Sequence, residues 1–140
     1  MKLSYEQAKD LGLKDLWPTQ AKMPEPPQSD PLLNKLETEF LGLLRQGPFQ
    51  SIEAQSVKFR LGGRTWYTPD FVVVSRPGGR VWVFEVKGFM RDDAAVKLKV
   101  AAAMYPWITW VLATKGKLGW RCCFVTKNGG LGKELWRPEW

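Results

Sequence analysis

Two stretches decide how this chain is read: Tyr67-Thr68-Pro69-Asp70-Phe71 and Phe84-Glu85-Val86-Lys87-Gly88, with fourteen residues between Asp70 and Glu85. Residues i and i+2 of a strand share a face. Glu85 and Lys87 therefore point one way, while Phe84 and Val86 pack on the other side. Pro77-Gly78-Gly79 reads as a hairpin turn that returns the second strand beside the first and brings Asp70 toward Glu85. A carboxylate leading into a buried run of valines is costly unless it has a partner. Two carboxylates and one ammonium group are thus expected to converge at one edge of a sheet. The bland alternative is a solvated ion pair between Glu85 and Lys87 on an exposed strand face, because E-x-K alone is a weak signal.

Convergence of that kind has a use. Two carboxylates hold a hard divalent cation such as Mg²⁺ through oxygen. The cation stabilises charge on a phosphate and lowers the pKa of a bound water, and a lysine beside it orients that water or stabilises the transition state. The chain has no histidine, so histidine general bases, Ser-His-Asp triads and histidine–cysteine zinc sites are excluded.

Outward from these strands, the pattern predicts an α/β fold with a mixed central sheet flanked by helices. On the N-terminal side, Asp30 and Pro31 suit the cap and first position of a helix, and Leu33, Leu36, Phe40, Leu43 and Leu44 recur at helical spacing up to Gly47-Pro48. Glu37 lies within that apolar stripe, four residues after Leu33 and three before Phe40, whereas Glu39 falls away from it toward solvent. Val57, Phe59 and Leu61 alternate as in a half-buried strand, Gly62-Gly63 turns the chain, and Trp66 to Val74 and Val81 to Lys87 read as the next two strands. On the C-terminal side, Asp92 or Asp93 caps a helix running to about Tyr105, Pro106 breaks it, and Trp107 to Ala113 reads as a buried central strand. Trp120 to Thr126 is the last strand, before a Gly-rich segment and a Trp-containing tail. Trp107 and Trp110 read as core; Trp136 and Trp140 are candidates for covering the core, meeting a partner or stacking on a base.

Residues 1–31 read as a short helix over 4–12 and an arm with a proline-rich stretch from Pro18 to Pro31, and 32–140 as the folded domain. The apolar runs are too short to span a bilayer, and the charged N-terminus lacks the core of a signal peptide. A cytoplasmic protein without a membrane partner is expected. Cys122 and Cys123 are adjacent, and a disulfide between neighbours is strained, so two free thiols are expected. The net charge is +7; residues 1–31 carry −1, which leaves +8 on the rest, and 88–133 carries eight basic against two acidic residues. Such a basic half points to a polyanion, with a merely solvated surface as the alternative. Arg91, Lys97 and Lys99 flank the carboxylates and are candidates for contacts to a phosphate backbone.

Pro69-Asp70 followed by Glu85-Val86-Lys87 resembles the PD-(D/E)xK nuclease superfamily. The order Asn34-Lys35-Leu36-Glu37, Tyr67 to Phe71, Glu85 to Phe89 and Asp92-Asp93 is similar to the phage endonuclease I group of Holliday-junction resolvases, over about Asn34 to Pro106. The resemblance implies a restriction-endonuclease-like core and Mg²⁺-dependent, or Mn²⁺-dependent, hydrolysis of branched DNA by a phage-encoded enzyme in a bacterial cytoplasm. It implies Asp70, Glu85 and the Val86 carbonyl as metal ligands, Lys87 as the catalytic lysine, and Glu37 as the helix glutamate that completes the site. It also implies a homodimer that exchanges segments, for which Gly47 to Ser56 or the Pro18 to Pro31 arm is the candidate. A less selective phage nuclease for genome processing or host-DNA degradation, and a DNA-binding protein that does not cleave, are the alternatives.

Overall fold

The computed structural model describes position 10, residues 33–88 and residues 92–136. The expected helix over 4–12, apart from position 10, the proline-rich arm, Arg91 and Trp140 lie outside the described residues. The chain divides into two compact units, Met1–Asp30 and Pro31–Trp140. The second unit carries the described strands and the two helices that flank them.

Helix α1 runs from Lys35 to Gln46. It starts later than the expected Asp30 cap, because Asn34 takes that role: its side chain accepts from the Glu37 N–H and the Glu37 carboxylate accepts from the Asn34 N–H, a closed capping box. Gly47 and Pro48 end the helix. The strands are β1 Phe49–Ala54, β2 Phe59–Gly62, β3 Thr65–Tyr67, β4 Phe71–Ser75, β5 Val81–Lys87, β6 Thr109–Gly116, β7 Gly119–Val125 and β8 Leu131–Trp136. Helix α2, Asp92–Met104, links β5 to β6. Six strands form one sheet in the order β1-β4-β5-β6-β7-β8, and β2 and β3 pair as a separate hairpin. Among these strands β5 and β6 are parallel, as a helical crossover requires; the other pairs are antiparallel, so the sheet is mixed.

Each helix covers one face. Phe40 and Leu44 of α1 are buried against Phe71, Val73, Phe84, Val86 and Val111. The Phe40 ring lies 5.5 Å from Phe84 and 4.9 Å from Trp120. Leu98, Ala101 and Ala102 of α2 pack on the opposite face against Val83, Trp110 and Leu112. Phe59, Leu61 and Tyr67 bring the β2–β3 hairpin into that second cluster. Strand alternation sends Cys122 and Cys123 into different clusters as free, buried thiols. Among the described residues no helix is long and apolar enough to cross a membrane.

The structure corrects several expectations. The segment from Gly47 to Ser56, read as a connection between the Glu37 helix and the first strand, contains a strand of its own: Phe49–Ala54 pairs with β4 as the edge strand β1. The span from Trp66 to Val74 is two strands, because Pro69 has no N–H to continue a ladder. Trp107 is 71% exposed, since Pro106 and Trp107 turn the chain before the central strand begins at Thr109. The Gly-rich C-terminal segment gives way to β8, in which Trp136 pairs with Cys122.

Candidate active site

β4 begins at Phe71, opposite Phe84 of β5. Carried on, the same register sets Asp70 opposite Glu85 and Pro69 opposite Val86. Pro69 cannot donate, so the last turn of β5 lacks a β4 neighbour with an N–H to give. Asp70 fills part of the gap, its Oδ2 accepting from the Val86 N–H at 2.7 Å. The N–H and C=O of one strand residue point to the same edge, so the Val86 carbonyl also faces Pro69 without a ladder donor.

Glu85 and Lys87 share the α2 face of β5, opposite Phe84 and Val86. Lys87 Nζ sits 2.8 Å from Glu85 Oε1. The other oxygen, Oε2, accepts from the Tyr67 hydroxyl at 2.5 Å. Glu37 arrives from the first turn of α1. Its carboxylate accepts from the Asn34 N–H and, at 2.8 Å, from Asn34 Nδ2, and Gln55 Nε2 donates to it across 3.3 Å. Gln55 has a left-handed φ of 50° and its N–H donates to the Asp70 carbonyl, so it ties the end of β1 to both acidic residues. At Gly88 a Cβ would lie 2.7 Å from Leu36 Cδ1, which shows how closely the start of α1 rests on the end of β5.

Asp70, Glu85 and Glu37 are all buried. Burial, then the nearby Glu85 charge, pushes the Asp70 carboxyl up to about 7; the Val86 N–H works against the shift, Glu37 adds to it and Lys87 opposes it. Burial alone would lower Lys87, but the hydrogen bond and charge of Glu85, with Asp70 and Glu37, hold it above the usual lysine value. Burial and the Glu85 charge raise Tyr67 far beyond the ordinary phenol, so it stays a donor. Three carboxylates thus face one ammonium group, a surplus of negative charge.

The donors are hard oxygens, the kind Mg²⁺ takes. Among the described residues no three acidic, histidine or cysteine side chains form a metal-holding group. A cation would rest on Asp70, Glu85 and the Val86 carbonyl, which suits an ion that commonly uses one or two carboxylates and keeps its waters. Both Glu85 oxygens already accept a hydrogen bond, yet an ionised carboxylate has about four lone-pair sites and retains capacity.

No family model matches the chain, and no curated protein or solved structure matches it.

Of the residues singled out in the sequence, the structure brings together Asp70, Glu85, Val86 and Lys87, with Glu37 close enough to act electrostatically on both Asp70 and Lys87. Lys97 is exposed on α2, and its Nζ donates to the Trp66 carbonyl at 3.3 Å. Lys99 is half-buried against Gly129, in the turn after Val125. Val125 pairs with Trp110, at the opposite end of β6 from Thr114, the partner of Lys87; Lys99 is not brought to the carboxylates. Glu39 is exposed, as expected, but is held by an ion pair to Lys115 and a 3.1 Å bond from Trp120 Nε1. Those contacts lower its pKa, the Lys115 bond first. Sequence reasoning assigned no role to Tyr67 or Gln55. A tyrosine beside the Pro-Asp step was a usable signal, since a buried phenol needs a polar partner; for Gln55 nothing in the pattern marked it.

Proposed function

We propose that the chain is a metal-dependent DNA endonuclease of the PD-(D/E)xK kind, acting on branched DNA. The observation that carries this reading is the pair Asp70 and Glu85, set opposite one another at the start of β4, with Lys87 paired to Glu85. Burial, and then the like charge of Glu85, raise Asp70, a cost that a divalent cation would relieve. The basic excess of the chain, +7, supplies attraction for DNA.

In this reading Asp70, Glu85 and the Val86 carbonyl hold Mg²⁺ or Mn²⁺, which supplies positive charge against the phosphate and acidifies water. Tyr67 fixes the plane of the Glu85 carboxylate. Lys87, kept charged by its neighbours, meets the phosphate oxygen on which negative charge grows. Glu37 orients the solvent side of the site from α1. Water adds at phosphorus and releases a proton, the bond to the leaving oxygen breaks, and that oxygen takes up a proton from solvent, so that in sum one water is consumed. A two-fold dimer suits a junction of near two-fold symmetry, but Glu37 comes from the same chain as Asp70, so no exchange of segments is needed to assemble the four residues.

Cleavage of supercoiled, linear, single-stranded and four-way-junction DNA, side by side with and without Mg²⁺, tests the proposal. Metal-dependent cleavage, fastest on the junction and lost in Glu85→Gln, is the expected result. No cleavage of any substrate with Mg²⁺ or Mn²⁺ rejects it.

A further inference from the structure

The β2–β3 hairpin has two unlike faces. Phe59 and Tyr67 pair across it and turn inward, with the Phe59 ring 5.2 Å from Tyr105 and 5.1 Å from Trp110. On the outer face Arg60 pairs with Trp66. Both are exposed, Trp66 to 51%, and so are Lys58 before β2 and Arg64 in the turn. From Gln55 to Thr68 the chain holds these three basic residues and no acidic one. Among the described residues the ion pairs join Lys87 to Glu85 and Lys115 to Glu39, so none of the three hairpin cations is neutralised.

The hairpin backbone is held from behind. The Tyr105 hydroxyl donates to the Arg60 carbonyl at 2.6 Å, and Lys97 Nζ to the Trp66 carbonyl. Its inner end is tied to the acidic cluster through Tyr67 and Glu85. Its tip, four residues from Tyr67, lies on the order of 13 Å away by strand rise, or about four base steps of duplex.

We propose that the outer face of this hairpin is a DNA-docking surface, with Lys58, Arg60 and Arg64 on phosphates and Trp66 stacked on a base whose stacking is interrupted at a branch point. The proposal rests on the DNA reading above and names the surface that holds the substrate. Three cations that have no counter-charge among the described residues, around an open indole face, complement a polyanion with stacking bases. An apolar protein partner would have to bury those cations unpaired, at high cost.

The test is fluorescence-anisotropy binding of a labelled four-way junction and a linear duplex in EDTA, across a range of salt. The variants are the triple Lys58→Ala, Arg60→Ala, Arg64→Ala, then Trp66→Ala and Trp66→Phe. A control triple, Arg45→Ala, Arg80→Ala, Lys127→Ala, removes three exposed charges elsewhere. The hairpin triple is expected to bind at least ~30-fold more weakly at about 0.1 M salt and to lower the slope of log K against log salt by about 2 to 3, the control triple by far less. Trp66→Ala is expected to weaken junction binding about 5-fold more than duplex binding, with Trp66→Phe recovering part of the loss. Wild-type affinity and slope in the hairpin triple, or losses no larger than the control's, overturn the proposal. If the triple does not melt like wild type, Arg64→Glu alone, in the exposed turn, decides on the same readout. Hairpin-dependent binding without cleavage in Mg²⁺ keeps the docking surface and rejects the nuclease reading; cleavage and binding indifferent to the hairpin do the reverse. A wild-type protein that binds neither DNA rejects both.

Discussion

The Tyr67 hydroxyl and Glu85 Oε2 are 2.5 Å apart in a buried setting, while Lys87 holds the other Glu85 oxygen. The carboxylate is therefore oriented from both sides by groups belonging to different strands. Tyr67→Phe removes one of these holds without changing shape. It is expected to cost about 1 to 2 kcal/mol of stability by chemical denaturation and to slow cleavage roughly 10-fold by loosening Glu85. Unchanged turnover in the folded variant would show that Lys87 alone positions Glu85.

Direct removal of site groups should act more strongly. Glu85→Gln and Lys87→Ala are each expected to lose at least ~10² in cleavage rate while keeping the wild-type circular dichroism spectrum. Single-turnover rates on the preferred DNA substrate check this. Turnover within a few-fold of wild type in either variant removes that residue from the site.

Asp70 links the site to pH. Its folded pKa is about 7, against about 3.9 in an unfolded chain. Below about pH 4 both states hold the proton and the fold has no penalty from this group. Between about 4 and 7 the native state holds more protons than the unfolded one, so stability falls as pH rises, and above 7 the loss is complete. Asp70→Asn keeps an acceptor for the Val86 N–H and never ionises. In EDTA its Tm should exceed that of wild type at pH 8 by clearly more than at pH 4.5, while its cleavage falls at least ~10²-fold. Adding Mg²⁺ at pH 8 should raise the Tm of wild type and not of the variant. A Tm difference that is flat across pH removes the like-charge argument.

Glu37 and Glu39 separate structure from chemistry on one helix. Glu37 is the capping-box residue as well as a charge near Asp70. Glutamine keeps an acceptor for the Asn34 N–H but loses the one for Asn34 Nδ2, so Glu37→Gln should cost less stability than Glu37→Ala while lowering cleavage. Glu37→Ala should also cost about 1 kcal/mol through the lost cap. Glu39→Gln weakens only the contacts to Lys115 and Trp120 and should leave cleavage unchanged. Equal, mild effects of Glu37→Gln and Glu39→Gln on rate would leave α1 a structural element alone.

Some of this protein follows from its sequence alone. The helix carrying Glu37, the strand pair around Pro77-Gly78-Gly79 and the shared face of Glu85 and Lys87 are consequences of periodicity and turn chemistry, which act over a few residues. Tertiary structure decided the rest. β1 was illegible because a bulge between Phe49 and Ser51 breaks its alternation, and β8 because its approach is rich in glycine; both exist through the neighbours they pair with. The direction of the Glu37 carboxylate is set by Asn34 and Gln55, and the latter reaches it from eighteen residues away. The pairing of Tyr67 with Glu85, the rise of Asp70 and the separation of Lys99 from the carboxylates are likewise products of chain closure. Burial and electrostatic coupling depend on which distant groups share a space, and local pattern does not encode that.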